Sequence, residues 1–144
     1  MDTQAEEIAP EVLYEWKMFE WCANELQKRP EDYAYRNCLL ESFLMHARVL
    51  HDFFMFGPKE DAVSAQDFFD DPSTWQIKSR KLCPYLSKER RRLQGMVPHL
   101  TYRRLNYKRT GQKPWNVTAI IDDITRAWAL FLASLPPERR FWFS

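Results

Sequence analysis

An all-α bundle is the fold this sequence predicts, and three observations point to it. Only 3 of the 144 residues are glycine, apolar residues recur at alternating spacings of four and three, and prolines stand where those runs stop. A strand-rich chain of this length needs more turn glycines and repeats its apolar residues at every second position. The length is that of one domain, residues 1–144, long enough to bury a sizeable core. The aromatic content (Phe 10, Trp 6, Tyr 6) gives that core bulky side chains. The expectation is a four- to five-helix up-and-down bundle.

The first helix is expected from about Glu11 to Lys28, with Pro10 in its first turn and Val12, Trp16, Phe19, Ala23 and Leu26 on one face. Arg29-Pro30 ends it. The second runs from about Glu31 to Phe56, with a stripe of Leu40, Phe43, Ala47, Leu50 and Phe54. Leu39, Leu44, Met45, Val49 and Phe53 spread apolar character round the rest, so this helix should be central. Its polar residues Asn37, Glu41, Arg48 and Asp52 fall within about 60° of one another. Gly57-Pro58 stops it. Residues 57–78 read as a long connection with a short helical turn around Ala65 to Phe69 and a cap-plus-proline step at Asp71-Pro72. A third helical region spans about Leu86 to Leu105, capped by Ser87 and broken near Gly95 and Pro98. Asn106–Lys113 is a basic loop. The last helix, about Val117 to Leu135, starts at an Asn116 cap and carries Val117, Ile121, Ile124, Trp128, Phe131 and Leu135 as its seam. Pro136-Pro137 ends it, and the apolar tail Phe141-Trp142-Phe143 should dock on the bundle or on a second subunit.

Composition excludes several classes. No apolar run approaches the ~18 residues a membrane span needs. The N-terminus has neither a basic nor an apolar signal region, which predicts a cytoplasmic protein. Cys22, Cys38 and Cys83 include no CxxC pair, so neither zinc nor a disulfide framework is signalled, and buried free thiols are expected. Three glycines build no phosphate-binding loop, and no cofactor is implied. His46 and His51 lie about 140° apart on their helix, so they make no metal pair, and His46 reads as a core histidine.

The net charge of +1 conceals a division of charge along the chain. Residues 1–77 carry 16 acids and 6 bases, whereas residues 78–113 carry 12 bases and the single acid Glu89. Such a basic block either attracts phosphate chains or pairs with the acidic half, within the molecule or across a dimer.

Within that block Arg92 and His99 are seven residues apart, nearly two helical turns, so one continuous helix would present both on one face with about 20° of drift. Arg90, Arg91, Tyr102, Arg103 and Arg104 surround them. This pair suits phosphodiester cleavage in RNA, where the 2′-hydroxyl attacks the neighbouring phosphorus. A near-neutral histidine moves the proton and a guanidinium grips the equatorial oxygens, without a metal. The plainer reading makes Arg92 a solvated arginine and His99 a packed histidine. Glu41 and Arg48 likewise read either as support for the site or as a structural polar network.

The spacing Arg92-x6-His99 resembles the R-x4–6-H signature of the HEPN superfamily. Together with the long helix Asn37–Phe54, the segment Asp67–Trp75, Val97-Pro-His99-Leu-Thr-Tyr-Arg103 and Lys113-Pro-Trp115, it is similar to the abortive-infection branch of that superfamily over roughly residues 30–135. The resemblance implies an all-α homodimer in which two such motifs form a composite, metal-independent ribonuclease site within a defence or toxin–antitoxin system. Arg92 would hold phosphate and His99 would be the general acid or base. Arg90, Arg91, Tyr102 and Arg103 would contact RNA, Glu41 or Arg48 would support the site, and an antitoxin protein would be a partner. Leu93 after the arginine, Pro98 before the histidine and Thr101 two positions beyond it depart from the catalytic pattern.

Overall fold

The computed structural model describes residues 2–57, 61–96 and 114–144, and every regular element among them is helical. These elements are α1 (Asp2–Gln27), α2 (Tyr33–Met55), α3 (Pro72–Ser79), α4 (Pro84–Lys88), α5 (Arg90–Met96), α6 (Val117–Ser134) and α7 (Pro137–Arg140), with 3₁₀ turns at Ala65–Phe68 and Phe141–Phe143. None of the described helices is long and apolar enough to cross a membrane.

α1 and α2 form an antiparallel hairpin. Cys22 meets Ser42, Phe19 stacks on Phe43 and Glu15 pairs with His46, so positions rise on one helix as they fall on the other. α1 starts near Asp2 rather than Glu11, and Pro10 lies inside it. The reason is that the apolar seam continues upstream: Ala9 is buried, and Ala5 and Ile8 pack against the core. One missing backbone hydrogen bond at Pro10 is outweighed by that burial. α2 begins where the Asp32 carboxylate accepts from the Tyr35 N–H (2.8 Å). Its stripe of Phe43, Ala47, Leu50 and Phe54 is buried as its spacing requires, whereas Met45 and Val49 face outward.

The connection after α2 is shorter than its composition suggests. Asp71 caps α3, accepting from the Ser73 N–H (3.0 Å), and Pro72 supplies the first turn. Trp75 buries its ring and donates its indole N–H to the Phe54 carbonyl (2.8 Å), holding α3 on the end of α2. Ser87 is not a cap: it lies in the last turn of α4, whose N-cap is Cys83 in the left-handed region (φ 54°). Cys83 offers no side-chain cap, and the carboxylate of Asp123 on α6 takes that place by accepting from the Leu86 N–H (2.9 Å).

α6 starts at Asn116, which accepts from the Ala119 N–H (3.0 Å). Its Phe131 is the hub of the core. Phe53, Phe54, Phe68, Phe69, Trp75, Trp128 and Phe143 surround it with ring centroids 5.3–6.1 Å away. At the C-terminus Phe143 and Trp142 dock on this core, as the apolar tail predicts, but Phe141 is 77% exposed. Arg140 satisfies the closing carbonyls of α6, donating to Leu132 (2.8 Å) and Leu135 (3.0 Å). The buried Arg139 donates to the Phe68 carbonyl (2.7 Å) and pairs with Asp70. It thereby ties the C-terminal turn to the middle of the chain.

Candidate nucleic-acid interface

Of the described bases in the basic block, Lys78 lies in the last turn of α3, Arg80 and Lys81 lie in the turn after it, and Lys88 and Arg90–Arg92 stand on α4 and α5. Pro84 opens α4, and the backbone turns at Glu89 (φ −94°, ψ 10°) before α5. Leu86 and Leu93 are buried and pin the two short helices to the core. His51 of α2 reaches α4, its Nε2 lying 3.2 Å from the Ser87 hydroxyl.

Asp123 sits beneath α4, 4% exposed. Burial, the largest influence, pushes its carboxyl above the ordinary 3.8. The N–H donors of Leu86 and Tyr85 and the nearby His51 oppose that rise, and Asp122 adds to it. The adjacent Cys83 thiol is pushed up to about 12, first by burial and then by Asp123. It is therefore no nucleophile at neutral pH.

With Leu93 turned inward, consecutive arginines fan out from α5 at about 100° steps. Arg91 is exposed. Arg90 lays its guanidinium over the Phe56 ring, 4.0 Å from the centroid. Arg92 lies 3.8 Å above the Trp115 ring and 3.7 Å from the Glu89 carboxylate, with its side chain 11% exposed. A cation held on an aromatic face keeps its charge but loses freedom of orientation. Arg92 is thus seated against Trp115 rather than extended into solvent.

The other residues expected at the site fall as follows. Glu41 is exposed on α2 and Arg48 is half-buried there, and neither forms an ion pair or hydrogen bond with Arg92 among the described residues. His99, Tyr102 and Arg103 lie outside the described residues, as does the expected break at Pro98. Sequence reasoning missed the seats of Arg90 and Arg92. The Glu89–Arg92 pair was legible as an i, i+3 spacing. The contacts with Phe56 and Trp115 span 34 and 23 positions and have no local signature.

Among the described residues no carboxylate of the acidic half pairs with the exposed bases of 78–91. Among the described residues the carboxylates of 1–77 pair with Lys28, His46 and Arg139, and one lies near His51. Arg80, Lys81, Lys88 and Arg91 are exposed and make no ion pair with a described residue. Lys78 donates to the Ser134 hydroxyl (3.2 Å). The chain matches no protein-family model, no curated protein and no solved structure.

Proposed function

We propose that this protein is RNA-directed and HEPN-like, and that it holds the RNA backbone along the exposed bases that run from the end of α3 through α5. The observation that carries the reading is the set Arg80, Lys81, Lys88 and Arg91, exposed and without a carboxylate partner among the described residues. The stretch that follows, 97–113, adds five more bases, and Tyr85, Tyr102, Tyr107 and Trp115 are interleaved with the basic block. Bases in a row attract phosphates, and rings among them offer surfaces on which nucleobases stack. In the catalytic form of the proposal, Arg92 stabilises the phosphorane and His99 moves the proton, with no metal.

Anisotropy of a labelled single-stranded RNA tests binding. The expected affinity falls steeply with added salt, and reversing Lys81, Lys88 and Arg91 together to Glu weakens it by tenfold or more, about one counterion's slope per lost contact. Binding that ignores salt, or that the triple reversal leaves intact, refutes the reading. Incubation with total RNA in EDTA, beside Arg92→Ala and His99→Ala, separates the two forms. Cleavage lost in both variants supports a ribonuclease; salt-dependent binding without cleavage leaves an RNA-binding module.

A second reading, a helical interaction module that pairs with a second copy, is favoured by one feature. Tyr14, Trp21, Met45 and Val49 are exposed on the α1–α2 hairpin. Light scattering of the protein beside Trp21→Glu tests it, and a monomeric mass for the unaltered protein rejects it.

A further inference from the structure

A cavity of about 430 Å³ opens between the first half of α1, the last two turns of α2 and residues 62–64. That volume falls within the range of small-molecule sites, roughly 300–1,000 Å³. Val12, Leu50, Phe53 and Phe56 form apolar walls, while Glu11, Glu15 and Asp52 bring three carboxylates. No lysine or arginine is among the described lining residues. Arg90 rests on the Phe56 ring but does not line the cavity.

Two polar atoms of its lining residues are buried and have no hydrogen-bond partner among the described residues. Ser64 is 3% exposed. Its N–H donates to the Asp67 carboxylate (2.9 Å), but the Asp67 N–H bonds the Ser64 carbonyl (3.0 Å). The hydroxyl therefore stands in a capping-box position and is left without a hydrogen bond. Asp52 Oδ1 is equally shielded and accepts no hydrogen bond, the nearest cationic candidate being His51 Nδ1 at 3.9 Å. Of the other two carboxylates, Glu15 is engaged by His46, and Glu11 makes no ion pair among the described residues. Buried polar atoms are nearly always bonded, so these two, one on α2 and one on residues 62–64, each call for a donor.

We propose that this cavity binds a small amphipathic ammonium, a primary amine carried on an apolar body. The ammonium supplies up to three N–H donors, enough for the Asp52 carboxylate and the Ser64 hydroxyl. Its hydrocarbon part lies against Val12, Leu50, Phe53 and Phe56 and leaves water. The carboxylates repel an anion of the same shape. Nothing in this site depends on the RNA-directed reading.

Titration calorimetry with 2-phenylethylammonium, 2-phenylethanol and phenylacetate tests the proposal. The ammonium is expected to bind once per chain, the alcohol about tenfold or more weaker, and the carboxylate not at all, since a charge-assisted hydrogen bond is worth about that factor. Asp52→Asn weakens the ammonium by a similar factor. Ala62→Trp, at an exposed position on the rim, blocks it without touching an acid. Ser64→Ala removes only the unpartnered hydroxyl, so it weakens binding while thermal stability holds or rises, and it carries the test should Asp52→Asn fail to fold. No saturation by about 10 mM, equal affinity for alcohol and ammonium, or indifference to Ser64→Ala and Ala62→Trp overturns the site and leaves the orphan atoms to water.

Discussion

Replacing Phe131 by alanine tests the central packing claim. The ring is fully buried and touches seven aromatic neighbours, contributed by α2, α3, α6, the turn after α2 and the C-terminal turn. Truncating a buried phenylalanine costs about 3–5 kcal/mol through lost transfer energy and the cavity left behind. Here the figure belongs at the top of that range, about 4–5 kcal/mol, because oriented ring pairs are lost too and rigid aromatic neighbours fill a void poorly. A domain of this size loses roughly 3–4 °C per kcal/mol, so the melting temperature should fall by roughly 12–20 °C. Urea unfolding followed by tryptophan fluorescence reads this directly, since Trp75 and Trp128 lie 5.7 and 5.9 Å from the ring being removed. Phe141→Ala is the matched control: the same residue type ten positions on, 77% exposed, should cost under about 0.5 kcal/mol. A loss at Phe131 below about 1.5 kcal/mol, or equal losses at both sites, would refute the placement of the hub.

Two further expectations concern titratable groups, and they stand beside the RNA and ammonium experiments above. The Asp123 carboxyl is raised above the 3.8 it has when unfolded, so the folded state holds that proton more tightly and this group's contribution to stability grows as pH falls through the raised value, complete below 3.8. Asp123→Asn keeps an acceptor for the Leu86 N–H, so urea midpoints of the two proteins should converge or cross between neutral pH and about pH 4; parallel curves would remove the cause. Cys22 and Cys83 are buried as expected but Cys38, on the outer side of α2, is exposed, so a thiol reagent should modify one cysteine rapidly in the folded protein and the others only in denaturant. Rapid reaction of a second thiol would contradict the burial of Cys22 and Cys83.

How much of this was legible depended on the range of the interaction. α2 and α6 were readable because each repeats its buried residues every three or four positions, and α6 also because it begins at the Asn116 cap; the Asp32 cap of α2 went unread, and its start was placed two residues early. The start of α1 was misjudged because Pro10 looks like a boundary, whereas Ala5, Ile8 and Ala9 carry the seam past it. α3 was read as connection because eight residues give little periodicity and its anchor, Trp75, bonds a carbonyl 21 positions away. The same limit applies to the site. The crowding of bases along residues 78–92 is plain in the sequence, but which arginine is exposed and which lies on a ring depends on Phe56 and Trp115. The cavity had no local sign at all, since its walls come from three separate stretches of chain.

The two flanks of residues 97–113 are fastened to each other. On one side stand Tyr85 and Arg92, on the other Trp115 and Asn116; Arg92 sits on Trp115, and the Asn116 N–H donates to the Tyr85 hydroxyl (3.0 Å). The residues just before and just after that stretch are therefore clamped side by side by a ring contact and a hydrogen bond. Loss of either contact would leave the other to hold α4 and α5 beside the start of α6.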